Sequence, residues 1–444
     1  MLIANAELNG RLVCLRVEHG VVAAIAASLP PVAAETVLDA RGGAVLPGLH
    51  DHHIHVNAAA AALDSIQCGP PAVRDAAGLV AALRAAPGAG WLRGINYHPS
   101  VAGEISRVWL DRHGPARPLR IQHRSGRLWI FNSAALDLLG PDGPEDGRLL
   151  DNDGWLAARL ARAPPDLAAL GMALARHGIT GVTDTTPRNG PEDVLRYARA
   201  GLRQNVLVMG GDALRGVAAP AGVTIGAVKL HFHEDALPEL DVLIARITAA
   251  HAAGRPVAVH CVTRAELFLS LAAIEAAGAH HGDRIEHAAV APPEAVDWIA
   301  RLGLTVVTQP HFIAERGEAY RADVAAADRP YLYRLRAWRQ AGVRLAAGSD
   351  APLGGMNPWA GMAAAVRRPA GLAPGEALSR RQALGLYLGR LDDPGGAPRV
   401  VAVGAPADLC VLDRGWCAAA GDLAAVRVRA TLRGGDITHV SGTP

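Results

Sequence analysis

Aromatic residues supply only 4% of this 444-residue chain and charged residues only 19%, while half of it is hydrophobic. The charges nearly cancel: 44 Lys and Arg stand against 42 Asp and Glu, a net of +2. With no basic stripe, nothing in the charge pattern would recruit nucleic acid. Cysteine is scarce. Cys14, Cys68, Cys261, Cys410 and Cys417 are scattered, odd in number and form no CxxC pair, which argues against a disulfide framework or a thiolate metal site. No uncharged apolar run approaches the roughly 18 residues of a membrane span. The N-terminal MLIANAELNG lacks the basic-then-apolar pattern of a signal peptide. The expectation is a soluble cytoplasmic protein acting on a small molecule, away from membranes, with homo-oligomerisation left open. The length suggests one large domain plus something smaller.

What is present is a change of pattern along the chain. Residues 1–47 read as short strands, with LVCLRVEHG and GVVAAIA broken by Gly and Pro, and residues 395–444 read alike, through RVVAVGAPADLCVLD and AVRVRATLRGGDITHV. These two ends are expected to pair into one small β-sandwich. Between them, residues 48–394 alternate apolar strands with helical segments, the mark of βα units and a parallel sheet. Eight strand candidates stand out: AVLPGLHDHHIHV (44–56), GITGVTD (178–184), NVLVMGG (205–211), GAVKLHF (226–232), PVAVHC (256–261), RIEHA (284–288), LTVVTQ (304–309) and RLAAGSD (344–350). Eight such units predict a closed barrel, with one helix filling each later gap. The first gap is too long for one crossover, so an insertion over the barrel mouth is expected at about 57–165. The fold class is α/β: a distorted TIM (β/α)8 barrel with a small β-sandwich domain built from both chain ends.

Polar residues gather where these strands end, the end at which such barrels carry their active sites. Strand alternation puts His53 and His55 on one face, and two adjacent imidazoles suit zinc. Lys229 lies between Val228 and Leu230. A lysine inside an apolar strand is costly unless it is paired or chemically changed. His260, His287 and Asp350 each close a later strand. Singly, His260 reads as a core histidine and Asp350 as a helix cap. Together, the residues form a set at equivalent strand ends.

The strings around them resemble a known family. VLDARGGAVLPGLHDHHIH resembles the approach to the first barrel strand in the amidohydrolase superfamily, specifically the amidohydrolase family 3 group that includes N-substituted formamide deformylase-like enzymes. FNSAAL (131–136) resembles the NSAAL signature of that group's insertion. GITGVTD, RIEHA and GSDAP resemble its strands two, six and eight, and GAPADLCVLD its return into the sandwich. The resemblance covers nearly the whole chain. It implies His53 and His55 as metal ligands, Lys229 carbamylated and bridging two metals, and His260 and His287 on the second metal. Asp350 would be both a ligand and the general acid/base. The reaction implied is hydrolysis of an amide or N-acyl/N-formyl C–N bond by a metal-bound hydroxide. Zinc is the default ion, with manganese, iron or nickel open.

The chain also departs from the group's pattern. Gly126-Arg127 stands where a Gly-His pair is usual, so Arg127 could bind a polar substrate group or form a plain salt bridge. KLHFHE (229–234) is rich in histidine where small or acidic residues are usual. His231 shares the face of Lys229 and is placed to line the pocket or add a ligand. The group's acidic-Gly turn is absent here, which leaves the count of metals open at one or two. His311, after strand seven, sits where substrate contacts occur. His98 and His123 line a pocket or a solvated loop. Asp184 and Glu286 read as structural. Rival readings are a mononuclear deaminase, a lactonase, esterase or phosphotriesterase on the same site, and a non-catalytic scaffold.

Overall fold

The computed structural model describes residues 1–160 and 164–442. The eight-stranded sheet is parallel throughout, and its strands run in chain order around a nearly closed barrel. They are β1 (Leu49–Ile54), β2 (Ile179–Asp184), β3 (Asn205–Gly210), β4 (Val223–Leu230), β5 (Val257–Cys261), β6 (Arg284–His287), β7 (Thr305–Thr308) and β8 (Arg344–Ala347). All eight expected strands are therefore present. Every residue of β1, β2, β6 and β7 is buried. Burial on both faces usually favours a continuous apolar run, yet β1 reads LHDHHI and β6 reads RIEH, so several of their buried side chains are polar.

Closure is made by backbone groups beside the site. Asp350 N donates to His53 O over 2.6 Å, and His55 N to Ala351 O over 2.9 Å. A Cβ on Gly348 would lie 2.3 Å from His53 N, so glycine alone permits this approach. The pairing of β1 with β2 slips by one residue between Asp51 and Ile54. Such a bulge re-aims side chains and is common beside functional sites.

One expectation fails between β3 and β4. No α-helix fills that gap; the chain makes only the short 3-10 turn Asp212–Leu214 before β4 begins. Gly216, Pro220 and Gly222 break the segment too often for a helix to propagate. Elsewhere helices follow the strands as expected. Helix Arg264–Ala277 starts four residues beyond His260, and Thr263 and Glu266 form a reciprocal capping box that fixes its first turn.

The chain ends supply two four-stranded sheets. One orders Val21–Ala26, Arg11–Glu18, Leu2–Leu8 and Val37–Asp39; the other orders Asp436–Val440, Val428–Arg433, Leu409–Leu412 and Val45–Pro47. Strand Val45–Pro47 joins the C-terminal sheet by antiparallel pairing with Leu409–Leu412. Ile3, Leu15, Val22, Val411 and Leu432 share one buried cluster, so apolar burial welds the two ends together.

Residues Asn57–Asp166 form a separate compact unit. It carries a five-stranded mixed sheet ordered Arg148–Leu150, Leu128–Phe131, Leu119–His123, Leu92–Tyr97 and Ile66–Gln67. The NSAAL string has a structural job within this unit. Buried Asn132 accepts from Ala135 N at 3.0 Å, capping helix Ser133–Leu139, and from Leu119 N at 2.9 Å. Its amide also donates to Arg117 O at 2.8 Å. Among the described residues, no helix is long and apolar enough to cross a membrane.

Candidate metal centre

His53 and His55 leave β1 toward the same point. His53 is buried, and its Nδ1 lies 2.5 Å from Glu286 Oε2. His55 Nδ1 lies 3.1 Å from Thr186 Oγ1. With each Nδ1 held, each Nε2 is turned to one carboxylate oxygen: Asp350 Oδ1 is 3.3 Å from both. That oxygen is buried and has no hydrogen-bond partner. Two lone-pair nitrogens and an anionic oxygen converging without hydrogen-bond geometry are what a divalent cation requires, and the outer carboxylate on His53 is the usual orienting partner of such a ligand. The residues therefore fit a metal ion.

The supports reach further out. Glu286 also accepts from Arg284 Nε at 2.5 Å, and Arg284 in turn donates to His52 O. Thr186 is fixed because its N–H donates to Asp184 at 2.9 Å, and Tyr197 donates its hydroxyl to the same carboxylate. Asp51 accepts from His53 N and Ser349 N. Burial pushes the Asp51 carboxyl up to about 6. His311 is buried, and its Nε2 donates to Ser349 O at 2.9 Å, so it steadies the segment leading into Asp350. Asp350, His287 and Ala288 all have positive φ, at 53°, 68° and 46°. Such backbone is uncommon outside glycine and clusters where function demands it.

Electrostatics follow from this packing. Burial alone would raise Asp350, but His53, His55 and His287 outweigh it and hold the carboxyl well below the usual range. Burial would likewise lower His53, yet Glu286 and Asp350 reverse that and raise it. His287 drops to about 3, mainly through burial and then through His53. Lys229 is buried, and its Nζ has no hydrogen-bond partner; burial lowers its pKa. Leaving such a group unsatisfied costs about 1–3 kcal/mol, and more if it is charged.

The sequence candidates in the barrel form a row of rings. Centroids step from His55 to His53 (5.7 Å), His287 (4.7 Å), His260 (4.6 Å), His231 (4.3 Å) and His233 (4.6 Å). Gln309 Oε1 accepts from His287 Nδ1 at 2.7 Å. Among the described residues, two groups of three donors have ligand atoms within 4.8 Å of one another: His53, His55 and Asp350, and His231, His233 and His260. His260 thus groups with the histidines after β4 and also lies beside His287, where the resemblance sets it.

His233 escaped sequence reasoning, although the alternation that links Lys229 to His231 reaches it two residues later. Glu286, read as an anchor of the barrel, does bind Arg284 but also holds His53. The remaining two candidates belong to the Asn57–Asp166 unit. Arg127 makes the salt bridge left open by the sequence, its Nε 2.8 Å from Asp151 Oδ1. His98 caps the short helix Pro99–Ala102 through Nδ1, and its ring lies 6.0 Å from that of His123.

The Amidohydrolase family model matches residues 36–439. The N-substituted formamide deformylase of Arthrobacter pascens is 27% identical over 460 aligned positions, covering 85% of this chain and 85% of its own. A metal-dependent hydrolase of Pyrococcus horikoshii OT3 superposes with a TM-score of 0.72 at 19% identity, over 93% of this chain and 97% of its own. The atrazine chlorohydrolase of Arthrobacter aurescens TC1, crystallised with zinc, superposes with a TM-score of 0.60 at 14% identity, over 100% of this chain and 97% of its own. At these identities the structural likenesses establish the barrel fold, and the family match establishes descent. The chain belongs to the amidohydrolase family.

Proposed function

We propose that this hydrolase cleaves an amide-type C–N bond, an N-acyl or N-formyl group on a small molecule, with Asp350 as the proton carrier. Family membership makes it an enzyme of C–N bond hydrolysis. The deformylase relative suggests the finer substrate class. The observation that carries the reading is the convergence of His53 Nε2 and His55 Nε2 on the unpartnered Asp350 Oδ1. A divalent ion held by these three residues, zinc by default, would supply an acidified water and polarise the scissile carbonyl.

The chain's own groups do the rest. Asp350 is held as a carboxylate, so it can take the proton of the attacking water and return it to the leaving nitrogen. The Nδ1 partners Glu286 and Thr186 fix both imidazoles, so little reorganisation is needed on reaction. Lys229, if carbamylated, would offer an anionic oxygen ligand in place of a buried amine, a change that its unpartnered Nζ favours.

The test is a panel of N-substituted formamides, N-acyl amino acids, lactones and amino-substituted heterocycles, run on metal-loaded protein and on Asp350→Asn. Amine release from a formamide or N-acyl compound, lost by about 10²–10⁴-fold in the variant, is the expected result. Turnover confined to lactones or to deamination would reassign the bond cleaved. Full activity in Asp350→Asn would remove the proton carrier. Inertness to the whole panel would leave a scaffold.

A further inference from the structure

The turn that carries Asp350 is held by the short helix Phe312–Glu315, which follows β7. On the near side of Asp350, His311 Nε2 donates to Ser349 O at 2.9 Å. On the far side, Arg316 Nη2 donates to Leu353 O, and Gly355 N donates to Glu315 Oε1 at 3.4 Å. The Arg316 guanidinium sits over the buried Phe312 ring, 3.7 Å from its centroid, and that ring meets the His311 ring edge-on at 4.9 Å. Gly354 shows how closely the two segments approach. A Cβ there would lie 2.3 Å from His311 Nε2, 2.4 Å from Ser349 O and 2.6 Å from Phe312 Cε1, so only glycine fits. Between these anchors Asp350 has φ +53°, and its carbonyl accepts from Leu353 N at 2.8 Å and Gly354 N at 3.2 Å. Such backbone in a residue with a side chain persists only where its surroundings over-determine it.

We propose that Arg316 is a positioning residue for Asp350: stacked on Phe312, it holds Leu353 O and so fixes the turn that aims the Asp350 carboxylate at His53 Nε2 and His55 Nε2. His311 fixes the residue before Asp350 and Arg316 the turn after it, so the backbone of Asp350 cannot relax without breaking one of the two contacts. The hydrogen bond of Arg316 goes to Leu353, and its effect reaches Asp350 through three residues of backbone. Arginine suits this task. Its planar guanidinium stacks on an aromatic ring while an N–H in the same plane donates, so little freedom is lost when the bond forms. The inference rests on the reading of Asp350 as the proton carrier and goes beyond it by naming what aims that carboxylate.

The test compares wild type, Arg316→Met and Arg316→Lys as full-length, zinc-loaded protein. Met fills the space beside Phe312 without a donor, whereas Lys keeps a donor and a positive charge. Amide hydrogen exchange is read by mass spectrometry over residues 349–357, and kcat and KM are measured with an N-substituted formamide. In Arg316→Met, exchange over 349–357 should quicken while the barrel strands exchange as in wild type. With the carboxylate misaimed, kcat should fall by about 10–100-fold and KM should stay within about threefold. Arg316→Lys should recover part of that loss. Unchanged exchange over 349–357 in Arg316→Met overturns the proposal whether or not the formamide is a substrate. So does quickened exchange spread through the barrel strands, which would make Arg316 a general support of the fold. Asp350→Asn, run beside them, keeps the two readings apart: full activity there removes Asp350 as proton carrier, whereas its inactivity beside a wild-type kcat in Arg316→Met removes only the role of Arg316. Should Arg316→Met misfold, Phe312→Leu, which takes away the stacking surface, is read in the same way.

Discussion

Replacing Glu286 by Gln should weaken metal binding at His53 and destabilise the barrel together, and the two effects can be measured apart. The Glu286 carboxylate is fully buried and lies 2.5 Å from both His53 Nδ1 and Arg284 Nε. Gln keeps the volume and one acceptor oxygen but removes the charge. A hydrogen bond to a charged group contributes about 1.5–3 kcal/mol, and the group that hydrogen-bonds the far nitrogen of a metal-bound histidine is typically worth roughly 10–100-fold in affinity. The expected loss is therefore about one to two decades in the metal dissociation constant. Arg284 also loses its counter-charge, and breaking a buried pair costs about 3–5 kcal/mol. The assay is zinc titration against a competing chelator, with calorimetric unfolding on the metal-free protein. A lowered unfolding temperature with unchanged zinc affinity would refute the reasoning and return Glu286 to the role of barrel anchor.

Lys229→Ala should lower metal content, and millimolar acetate or propionate should partly restore it; unchanged content would show that Lys229 contributes no ligand. Gly348→Ala should destabilise by about 3 kcal/mol or more, because the new Cβ would meet His53 N at 2.3 Å and His53 Cα at 2.7 Å; a near-native unfolding midpoint would mean that the closure is more pliable than drawn. Asn132→Ala should cost about 2–4 kcal/mol, since it orphans Leu119 N, Ala135 N and Arg117 O. Limited proteolysis of the Asn57–Asp166 unit would report this, and unaltered resistance would count against it.

The eight barrel strands could be read from the chain because their signals are local, and the same strand ends nominated His53, His55, Lys229, His260, His287 and Asp350 as candidates. A strand such as β5, VAVHC, is an apolar run that a polar residue interrupts near its end, whereas β1, LHDHHI, was marked by its alternating histidines. The unusual placement of Lys229 likewise needed only its neighbours. The broken β3–β4 connection was legible too, in Gly216, Pro220 and Gly222, but the repeat of helices elsewhere concealed it.

Sequence alone determined the barrel and the candidate ligands, because alternation and apolar run length are properties of neighbouring residues, and the family through the resemblance of short strings such as RIEHA and GSDAP. Only tertiary structure decided the partners. Glu286 reaches His53 across 233 positions of chain, and Ser349 N reaches Asp51 across 298. Those contacts depend on barrel closure and on the slipped register in β1, and no local period encodes either. For the same reason the sequence could nominate His260 as a ligand but could not say which histidines surround it. That depended on the register of β4 against β5 and the path of the chain beyond Leu230.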